Sequence, residues 1–204
     1  HSGSFAANLD LSTLTGANGF QISGEAEGDE SGMSVSAAGD VNGDGFDDLI
    51  VGAVHSAPPG VDSGASYVVF GKAGGFAANL NLSTLNGMSG FQISGESAGD
   101  GAGRVSAAGD INGDGFDDLV VGALGADPNG GNSGASYVMF GFNTGQVDFL
   151  GTNGDDTLTG NSSANILIGG LGNDTLGGGA GKDRLAGGVG NDTIVGGIGN
   201  DVMN

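Results

Sequence analysis

Internal repetition is the feature of this sequence that most restricts the fold it can adopt. Three segments return in the same order later in the chain: FAANLDLSTL at Phe5 as FAANLNLSTL at Phe76, GFQISGE at Gly19 and again at Gly90, and SGASYVVFG at Ser63 as SGASYVMFG at Ser133. Residues 5–72 and 76–142 are therefore two copies of one unit, within a predicted N-terminal domain of residues 1–142. Residues 143–150 are a predicted linker, and residues 151–204 form a second predicted domain with a shorter repeat.

Each copy contains four short apolar segments bounded by Gly, Asn, Asp or Ser, a pattern typical of β-strands joined by tight turns. In the first copy these segments are FQISG, SVSAAG, DLIVGA and SYVVFG. The chain has 47 Gly and 3 Pro, which favours turns and disfavours long helices. We therefore predict an all-β chain in which each copy is a four-stranded, propeller-blade-like unit or a small meander. A β-sandwich built from two similar halves is the alternative.

The charge of the chain limits its partners. Four Lys and Arg stand against 24 Asp and Glu, and the net charge of −20 repels nucleic acid and anionic membranes and attracts cations. No apolar run approaches the roughly 20 residues of a membrane-spanning helix, so no membrane span is predicted. The absence of Cys excludes disulfides and thiolate metal sites. Composition thus favours cations as partners and excludes nucleic acid.

Two loops carry oxygen-bearing side chains at alternate positions, DVNGDGFDD from Asp40 and DINGDGFDD from Asp110. Positions one, three and five of a tightly coiled loop can point inward together, and the intervening glycines permit the coiling. Carboxylate and amide oxygens are the ligands that calcium prefers. The candidate ligands at these positions are Asp40, Asn42 and Asp44 in the first loop and Asp110, Asn112 and Asp114 in the second.

The loops differ from an EF-hand, because the twelfth position holds Val in both, where an EF-hand needs a bidentate Glu. Asp48 and Asp118, at position nine, instead close a shorter loop where the next strand begins. Asp47 and Asp117 are predicted to face solvent. The alternative is that NGDG is only a tight hairpin turn, since Asn-Gly and Asp-Gly favour type I′ geometry.

The loops, together with Phe-Gly at Phe70 and Phe140, resemble the FG-GAP repeat of integrin α-subunit propellers. The resemblance covers about residues 5–142 and implies calcium binding through side chains at positions one, three, five and nine and the carbonyl at position seven. It implies the following ligands: Asp40, Asn42, Asp44, the Phe46 carbonyl and Asp48 in the first loop, and Asp110, Asn112, Asp114, the Phe116 carbonyl and Asp118 in the second.

A nine-residue period runs from Gly151 to the last residue: GTNGDDTLT, GNSSANILI, GGLGNDTLG, GGAGKDRLA, GGVGNDTIV and GGIGNDVMN. Position six is Asp or Asn and position eight is apolar in every unit, which predicts a polar turn followed by a brief strand. The units resemble the calcium-binding nonapeptide of RTX proteins, which implies a short parallel β-roll with two nonapeptides in each coil. The implied calcium ligands pair as Asp156 with Asp174, Asp174 with Asp192, and Asp183 with Asp201.

A flexible linker rich in Gly, Asn and Asp is the alternative for this region. Stacked carboxylates repel one another and Gly loses much entropy on ordering, so bound calcium would decide between the two states.

No catalytic constellation is recognisable in the sequence. The histidines are His1 and His55, and the HExxH and P-loop patterns are absent. We therefore predict a non-enzymatic, calcium-binding adhesion or scaffold module whose folding is driven by calcium. The resemblances imply a secreted bacterial protein with type I export and a protein or polysaccharide ligand at a cell surface or matrix. The alternative is the non-catalytic accessory region of a large secreted RTX exoenzyme or toxin.

Two propeller units cannot close a ring, so unpaired strand edges are expected. Self-assembly of several copies, or flanking blades in a longer protein, would cover them.

Overall fold

The structure is a computed structural model that describes residues 7–57, 59–145 and 147–204. Phe5, where the first predicted copy begins, and Gln146 of the predicted linker lie outside the described residues. The described chain is all-β, as predicted, with two short 3-10 turns at Leu11–Thr13 and Leu82–Thr84. No helix in the described part is long and apolar enough to cross a membrane.

The strands of the predicted N-terminal domain are β1 (Gln21–Ser23), β2 (Ser34–Gly39), β3 (Asp48–Ala53), β4 (Ala65–Val69), β5 (Asn79–Asn81), β6 (Gly90–Ser94), β7 (Ala102–Gly109), β8 (Asp118–Ala123) and β9 (Ala135–Met139). The later strands are β10 (Phe149–Leu150), β11 (Thr157–Thr159), β12 (Ile166–Leu171), β13 (Thr175–Ala180), β14 (Arg184–Val189), β15 (Thr193–Ile198) and β16 (Val202–Met203).

The first sheet draws on both sequence copies. Strands β2, β3, β4 and β6 form an antiparallel sheet in that order, and β6 comes from the second copy. Strand β1, which the sequence grouped with β2, β3 and β4, instead pairs in parallel with β5. The sequence repeat and the sheet are thus offset by one strand, because the chain after β4 returns to cover the edge of β4 with the next copy of GFQIS.

The second sheet contains β7, β8 and β9 and packs face to face against the first. One buried cluster joins them, with Ile50 and Val68 from the first sheet and Val105, Leu119 and Val121 from the second. The chain continues from β9 into the C-terminal region, so among the described residues no strand of this sheet takes the position that β6 occupies in the first.

The C-terminal region is a parallel β-roll, as predicted. Each strand pairs with the one two nonapeptides later, as Thr157 with Thr175 and Thr175 with Thr193. The apolar residues at position eight point inward, and Leu167, Leu176 and Leu185 are fully buried between the two sheets. One coil therefore contains two nonapeptides, which confirms the period inferred from the RTX resemblance.

The roll begins before its first predicted residue. Phe149–Leu150, the last two residues of the predicted linker, form β10 and pair with Leu167 and Ile168 of β12. Asp148 accepts the backbone N–H of Ile166 and donates its own N–H to the Ile166 carbonyl. The Phe149 ring packs on the roll core because it stands in the inward position of an additional, degenerate unit.

Candidate metal centres

The first Asp loop spans residues 40–47 between β2 and β3, with Gly39 paired to Asp48. It is longer than a two-residue hairpin, so the tight-turn alternative is wrong. The side chains fold inward onto the backbone of their own loop: Asp40 accepts the N–H groups of Asp44 and Gly45 at 3.0 Å each. Asn42 Oδ1 accepts the Asp44 N–H at 3.0 Å, and Asp44 Oδ1 accepts the Phe46 N–H at 2.9 Å.

The second loop repeats this arrangement. Asp110 accepts the N–H groups of Asp114 and Gly115, at 3.1 and 2.8 Å. Asn112 Oδ1 accepts the Asp114 N–H at 3.0 Å, and Asp114 Oδ1 accepts the Phe116 N–H at 3.0 Å. Both loops therefore bring the residues at positions one, three and five together, as the sequence pattern predicts.

Glycines make this coiling feasible. Gly43 and Gly45 have φ of +72° and +87° in the first loop, and Gly113 and Gly115 have +76° and +87° in the second. This left-handed backbone is costly for residues with a Cβ atom. A Cβ at Gly43 would also collide with the ring of Phe116, so the glycine permits close packing between the two loops.

Position nine has a structural role that sequence reasoning missed. Asp48 is almost fully buried and accepts the Val41 N–H at 3.0 Å and the Gly71 N–H at 2.8 Å. Asp118 accepts the equivalent groups of Ile111 and Gly141, at 2.8 and 2.9 Å. Each carboxylate thus fastens the start of its loop to the glycine of the following Phe-Gly pair. The recurrence of Asp and Phe-Gly at the same separation in both copies is the signal that could have identified this contact.

Burial perturbs the acid–base properties of the first loop. Desolvation raises the pKa of Asp48 to about 7, although the N–H donors of Gly71 and Val41 favour its charged form. Desolvation also raises the pKa of Asp40, against the attraction of the Arg184 guanidinium. Without a cation, these buried carboxylates are therefore held in an environment that disfavours their negative charge.

Asp117 does not face solvent, contrary to the prediction. Its Oδ2 accepts the Asp40 N–H at 2.8 Å, and its own N–H donates to the Asp40 carbonyl at 3.2 Å. Its counterpart Asp47 is exposed, as predicted. The difference arises because Asp117 lies against the first loop, whereas no earlier loop lies in the same way against Asp47 within the described residues.

The two loops also meet the roll. The Arg184 guanidinium donates to the Gly45 carbonyl at 3.2 Å and lies 3.5 Å from Asp40 Oδ2. Gly115 lies against Ile168, and Gly113 against Leu171. The two loops are enclosed at different positions: Asn42 is buried whereas Asn112 is exposed. Phe46 is 40 % exposed, while Phe116 is 4 % exposed.

The position-six side chains of the roll form a ladder between successive coils. The Oδ1 atom of each Asp accepts the backbone N–H of the residue 18 positions earlier: Asp174 from Asp156, Asp183 from Asn165, Asp192 from Asp174, and Asp201 from Asp183, at 2.8 to 3.0 Å. The structure thus brings together each predicted pair in the roll.

Two oxygens of this ladder have no hydrogen-bond partner among the residues that the structure describes. Asp174 and Asp183 are each 1 % exposed, and the Oδ2 atom of each is buried and unpaired. Asp174 Oδ2 lies beside Gly169, at a point where a Cβ would also collide with the Gly187 carbonyl. A buried, unpaired carboxylate oxygen is costly, and a carboxylate and a carbonyl converging on a glycine-lined space fit the oxygen chemistry of calcium.

Within the described residues, no three His, Asp or Glu side chains converge as a preassembled metal centre. Each loop instead offers carboxylates mixed with an amide and backbone groups, and each coil of the roll offers carboxylates with backbone carbonyls. The donor set fits calcium in kind, and the assignment of these residues as ligands stays a prediction.

Sequence reasoning missed two further acidic positions. Asp29 and Asp100 are both 7 % exposed, and they accept the N–H groups of Ala26 and Ser97. Each therefore closes a tight turn ahead of β2 or β7. The signal was available, because each follows the repeated GFQISGE segment by the same number of residues.

Comparison with known proteins agrees with the geometry. A family model of the FG-GAP repeat matches residues 31–69 and 98–139. A family model of the RTX calcium-binding nonapeptide repeat matches residues 150–185 and 177–204. The order of the two repeat types confirms both resemblances drawn from the sequence.

Two curated relatives are similar to part of this chain. Integrin alpha-PS2 of Drosophila melanogaster is 32% identical over 68% of this chain and 10% of its own length. Phosphatidylinositol-glycan-specific phospholipase D of Bos taurus is 36% identical over 53% of this chain and 13% of its own length. The chain therefore corresponds to little more than a tenth of the length of either relative.

Proposed function

We propose that this chain, which carries FG-GAP repeats followed by RTX calcium-binding nonapeptide repeats, is a calcium-loaded adhesion or scaffold module of a secreted bacterial protein. Calcium drives the folding of its roll after type I export. The module acts by binding rather than by catalysis, and its ligand is a protein or polysaccharide at a cell surface or in a matrix.

The observation that carries this proposal is the pair of unpaired carboxylate oxygens in the roll. Asp174 Oδ2 and Asp183 Oδ2 are buried without a partner, in a chain whose net charge is −20. An uncompensated buried charge destabilises a fold by several kcal/mol. A cation between coils removes that cost, so the ordered roll is the calcium-bound state of this region.

In the roll, calcium is held by the position-six carboxylates with backbone carbonyls of adjacent coils. These side chains are Asp156, Asp174, Asp183, Asp192 and Asp201. Their Oδ1 atoms already accept backbone N–H groups, but a carboxylate has further lone pairs and can bind a cation while keeping that bond.

In the N-terminal domain, the two Asp loops hold one calcium each. The side chains at positions one, three, five and nine serve as ligands, with the carbonyls of Phe46 and Phe116. Calcium supplies the positive charge that the buried carboxylates lack. Arg184, 3.5 Å from Asp40 Oδ2, supplies only part of that charge.

The two N-terminal sheets are blades of a propeller-type architecture, with domain boundaries at residues 1–142 and 151–204. The similarity to integrin alpha-PS2 supports an adhesion role. The similarity to a phospholipase D supports the alternative, a non-catalytic accessory region of a larger secreted enzyme. A catalytic domain in the flanking sequence of the natural protein would favour that alternative.

Hydrogen exchange in calcium and in chelator tests the calcium-driven fold. Amides of residues 169–201 are expected to be protected in millimolar calcium and to exchange rapidly in chelator, with magnesium a poor substitute because it demands octahedral geometry. Equal protection in calcium and in chelator would contradict the proposal. Binding of the chain to arrays of matrix proteins and polysaccharides, in calcium and in chelator, tests the adhesion role.

A further inference from the structure

Strand β9 has an unpaired edge that the calcium sites do not explain. In the second sheet, β9 pairs with β8 alone among the described residues, whereas its counterpart β4 lies between β3 and β6. The two strands are nearly identical in sequence, ASYVV in β4 and ASYVM in β9. The edge of β9 therefore has the side chains of a central strand without the neighbour that a central strand has.

The exposed fractions of corresponding side chains in β4 and β9 show the effect of the missing neighbour strand. Tyr67, Val68 and Phe70 are 1 %, 0 % and 5 % exposed beside β6. Their counterparts Tyr137, Val138 and Phe140 are 39 %, 49 % and 53 % exposed. An apolar strand edge of this kind is a template for pairing with another chain.

The pairing of β4 with β6 in the first sheet indicates which sequence can pair with the open edge of β9. Strand β6 pairs with β4 over five residues, from Val69 with Gly90 to Ala65 with Ser94. Its sequence, GFQIS, is identical to that of residues 19–23. Phe91 of β6 packs against Phe70 at a ring distance of 5.8 Å, and an equivalent ring would cover the exposed Phe140.

Residues 19–23 are held by the stacking of Phe20 on Phe76 and by the packing of Ile22 against a core cluster, and within the described residues only one of their backbone edges is paired. Within them, β1 makes a three-residue parallel pair with β5 and belongs to neither of the larger sheets. The Gln21 N–H donates to the Ala78 carbonyl, so the next N–H along the strand, that of Ile22, faces away from β5. The segment thus has the sequence of β6 and an unused hydrogen-bonding edge.

We propose that β9 binds residues 19–23 of a second copy of this chain, by addition of an antiparallel strand in the register that β6 adopts on β4. Gly, Phe, Gln, Ile and Ser of the incoming strand face Met139, Val138, Tyr137, Ser136 and Ala135, respectively. The donor segment and the acceptor edge are different surfaces, so the contact is heterologous and joins copies head to tail.

The hydrogen-bonding pattern of the first sheet shows which N–H groups matter. Phe70 donates to the Ser89 carbonyl and Gly95 donates to the Gly64 carbonyl. Groups facing a neighbouring strand alternate along the chain, so those of Val68 face β6 and those of Ile93 face β4. By equivalence, the contact between copies uses the N–H groups of Val138 and Ile22.

Peptides provide the first test. A fluorescent peptide GFQISGE should bind the calcium-loaded chain saturably, as measured by anisotropy. N-methylation of its Ile removes an N–H that faces β9 and should weaken binding about tenfold or more. N-methylation of its Gln, whose N–H faces outward, is the matched control and should leave binding nearly unchanged. Equal binding of the two methylated peptides, or no binding of the parent, overturns the proposal.

Complementation between two variants tests the second copy as the donor. Val138→Pro removes the acceptor edge and Ile22→Pro removes the donor, and each position is an edge position at which Pro spares the existing ladder. In sedimentation, the unmodified chain should form oligomers as its concentration rises. Each variant alone should remain monomeric, and an equimolar mixture should form a dimer and nothing larger.

A monomeric unmodified chain at high micromolar concentration overturns the proposal, even if the peptide binds. So does self-association that persists undiminished in both variants. If circular dichroism shows that Val138→Pro has not folded, the pair of methylated peptides and the Ile22→Pro chain still decide the outcome.

Discussion

Replacing Asp174 by Asn is expected to change the stability of the roll in opposite directions with and without calcium. The Asn keeps an oxygen to accept the Asp156 N–H, which Asp174 Oδ1 accepts at 2.8 Å. It removes the negative charge from a side chain that is 1 % exposed and whose second oxygen has no partner. The cost of burying this charge and the free energy of binding calcium therefore both depend on Asp174 Oδ2, and they change the stability of the roll in opposite directions.

The magnitudes follow from the structure. In chelator, the Asn replaces the unpaired Oδ2 with an NH2 donor beside the Gly187 carbonyl, and this change together with removal of the buried charge stabilises the roll by about 1–3 kcal/mol. In calcium, Asp174 stands between Asp156 and Asp192 in the ladder, so its loss impairs up to two sites. Each site contributes about 2.7 kcal/mol when calcium exceeds its dissociation constant about 100-fold, so the loss is about 3–5 kcal/mol.

The assay is hydrogen exchange of residues 169–201 combined with urea unfolding, in chelator and in millimolar calcium. Asp155→Asn is the matched control, because it makes the same charge change at an exposed residue one coil earlier and keeps the oxygen that accepts the Asn173 N–H, so it should alter stability by less than about 0.5 kcal/mol in either condition. If Asp174→Asn destabilises the roll equally in both conditions, the Oδ2 atom is an ordinary structural acceptor and the reasoning is refuted.

Three further outcomes are expected. Asp44→Ala should lower the number of calcium ions bound in calorimetry by about one, whereas Asp47→Ala, at an exposed neighbour, should leave that number unchanged. Unchanged calcium binding in both variants would contradict the assignment of the loop as a calcium site. Arg184→Gln should raise the calcium affinity of the first loop several-fold, because the guanidinium 3.5 Å from Asp40 Oδ2 opposes a second cation; an unaltered titration would show that the two charges do not compete. In chelator, lowering the pH from about 8 to about 5 should stabilise the N-terminal sheets against urea. The reason is that the pKa of Asp48 in the folded chain is raised to about 7, so the folded chain takes up a proton in this range and the unfolded chain does not. This stability is lost as the pH rises through the folded pKa, and Asp48→Asn should weaken the pH dependence of the unfolding free energy.

Local pattern predicted much of the candidate site. The alternate oxygens and glycines of DVNGDGFDD predicted an inward-folded loop, and the structure places Asp40, Asn42 and Asp44 in that arrangement. The contacts within the loop join residues at most five positions apart, so sequence spacing alone determines which groups can meet. The roll was predictable for a different reason, because the resemblance of its nine-residue units to RTX nonapeptides implies two units in each coil and therefore which units pair.

Contacts between residues far apart in the sequence decided the remaining features of the fold and of the candidate site. Strand β6 completes the first sheet although sequence repetition assigns it to the second copy, and Asp117 reaches Asp40 across 77 positions. Arg184 reaches Gly45 across 139 positions. Nothing in the spacing of these residues distinguishes them from exposed neighbours such as Asp47, because their partners depend on how separate elements pack.

The sequence by itself therefore determined the repeating units, their strands and the oxygen-rich loops, since each depends on residues close together in the chain. The RTX resemblance added the coil of the roll, in which residues two nonapeptides apart pair. The tertiary structure alone decided which strand covers which edge, which carboxylates are buried and which of their oxygens lack partners. Burial and pairing are properties of surfaces brought together from distant parts of the chain, and two nearly identical strands, β4 and β9, accordingly have different environments: one is covered by β6 and the other ends its sheet.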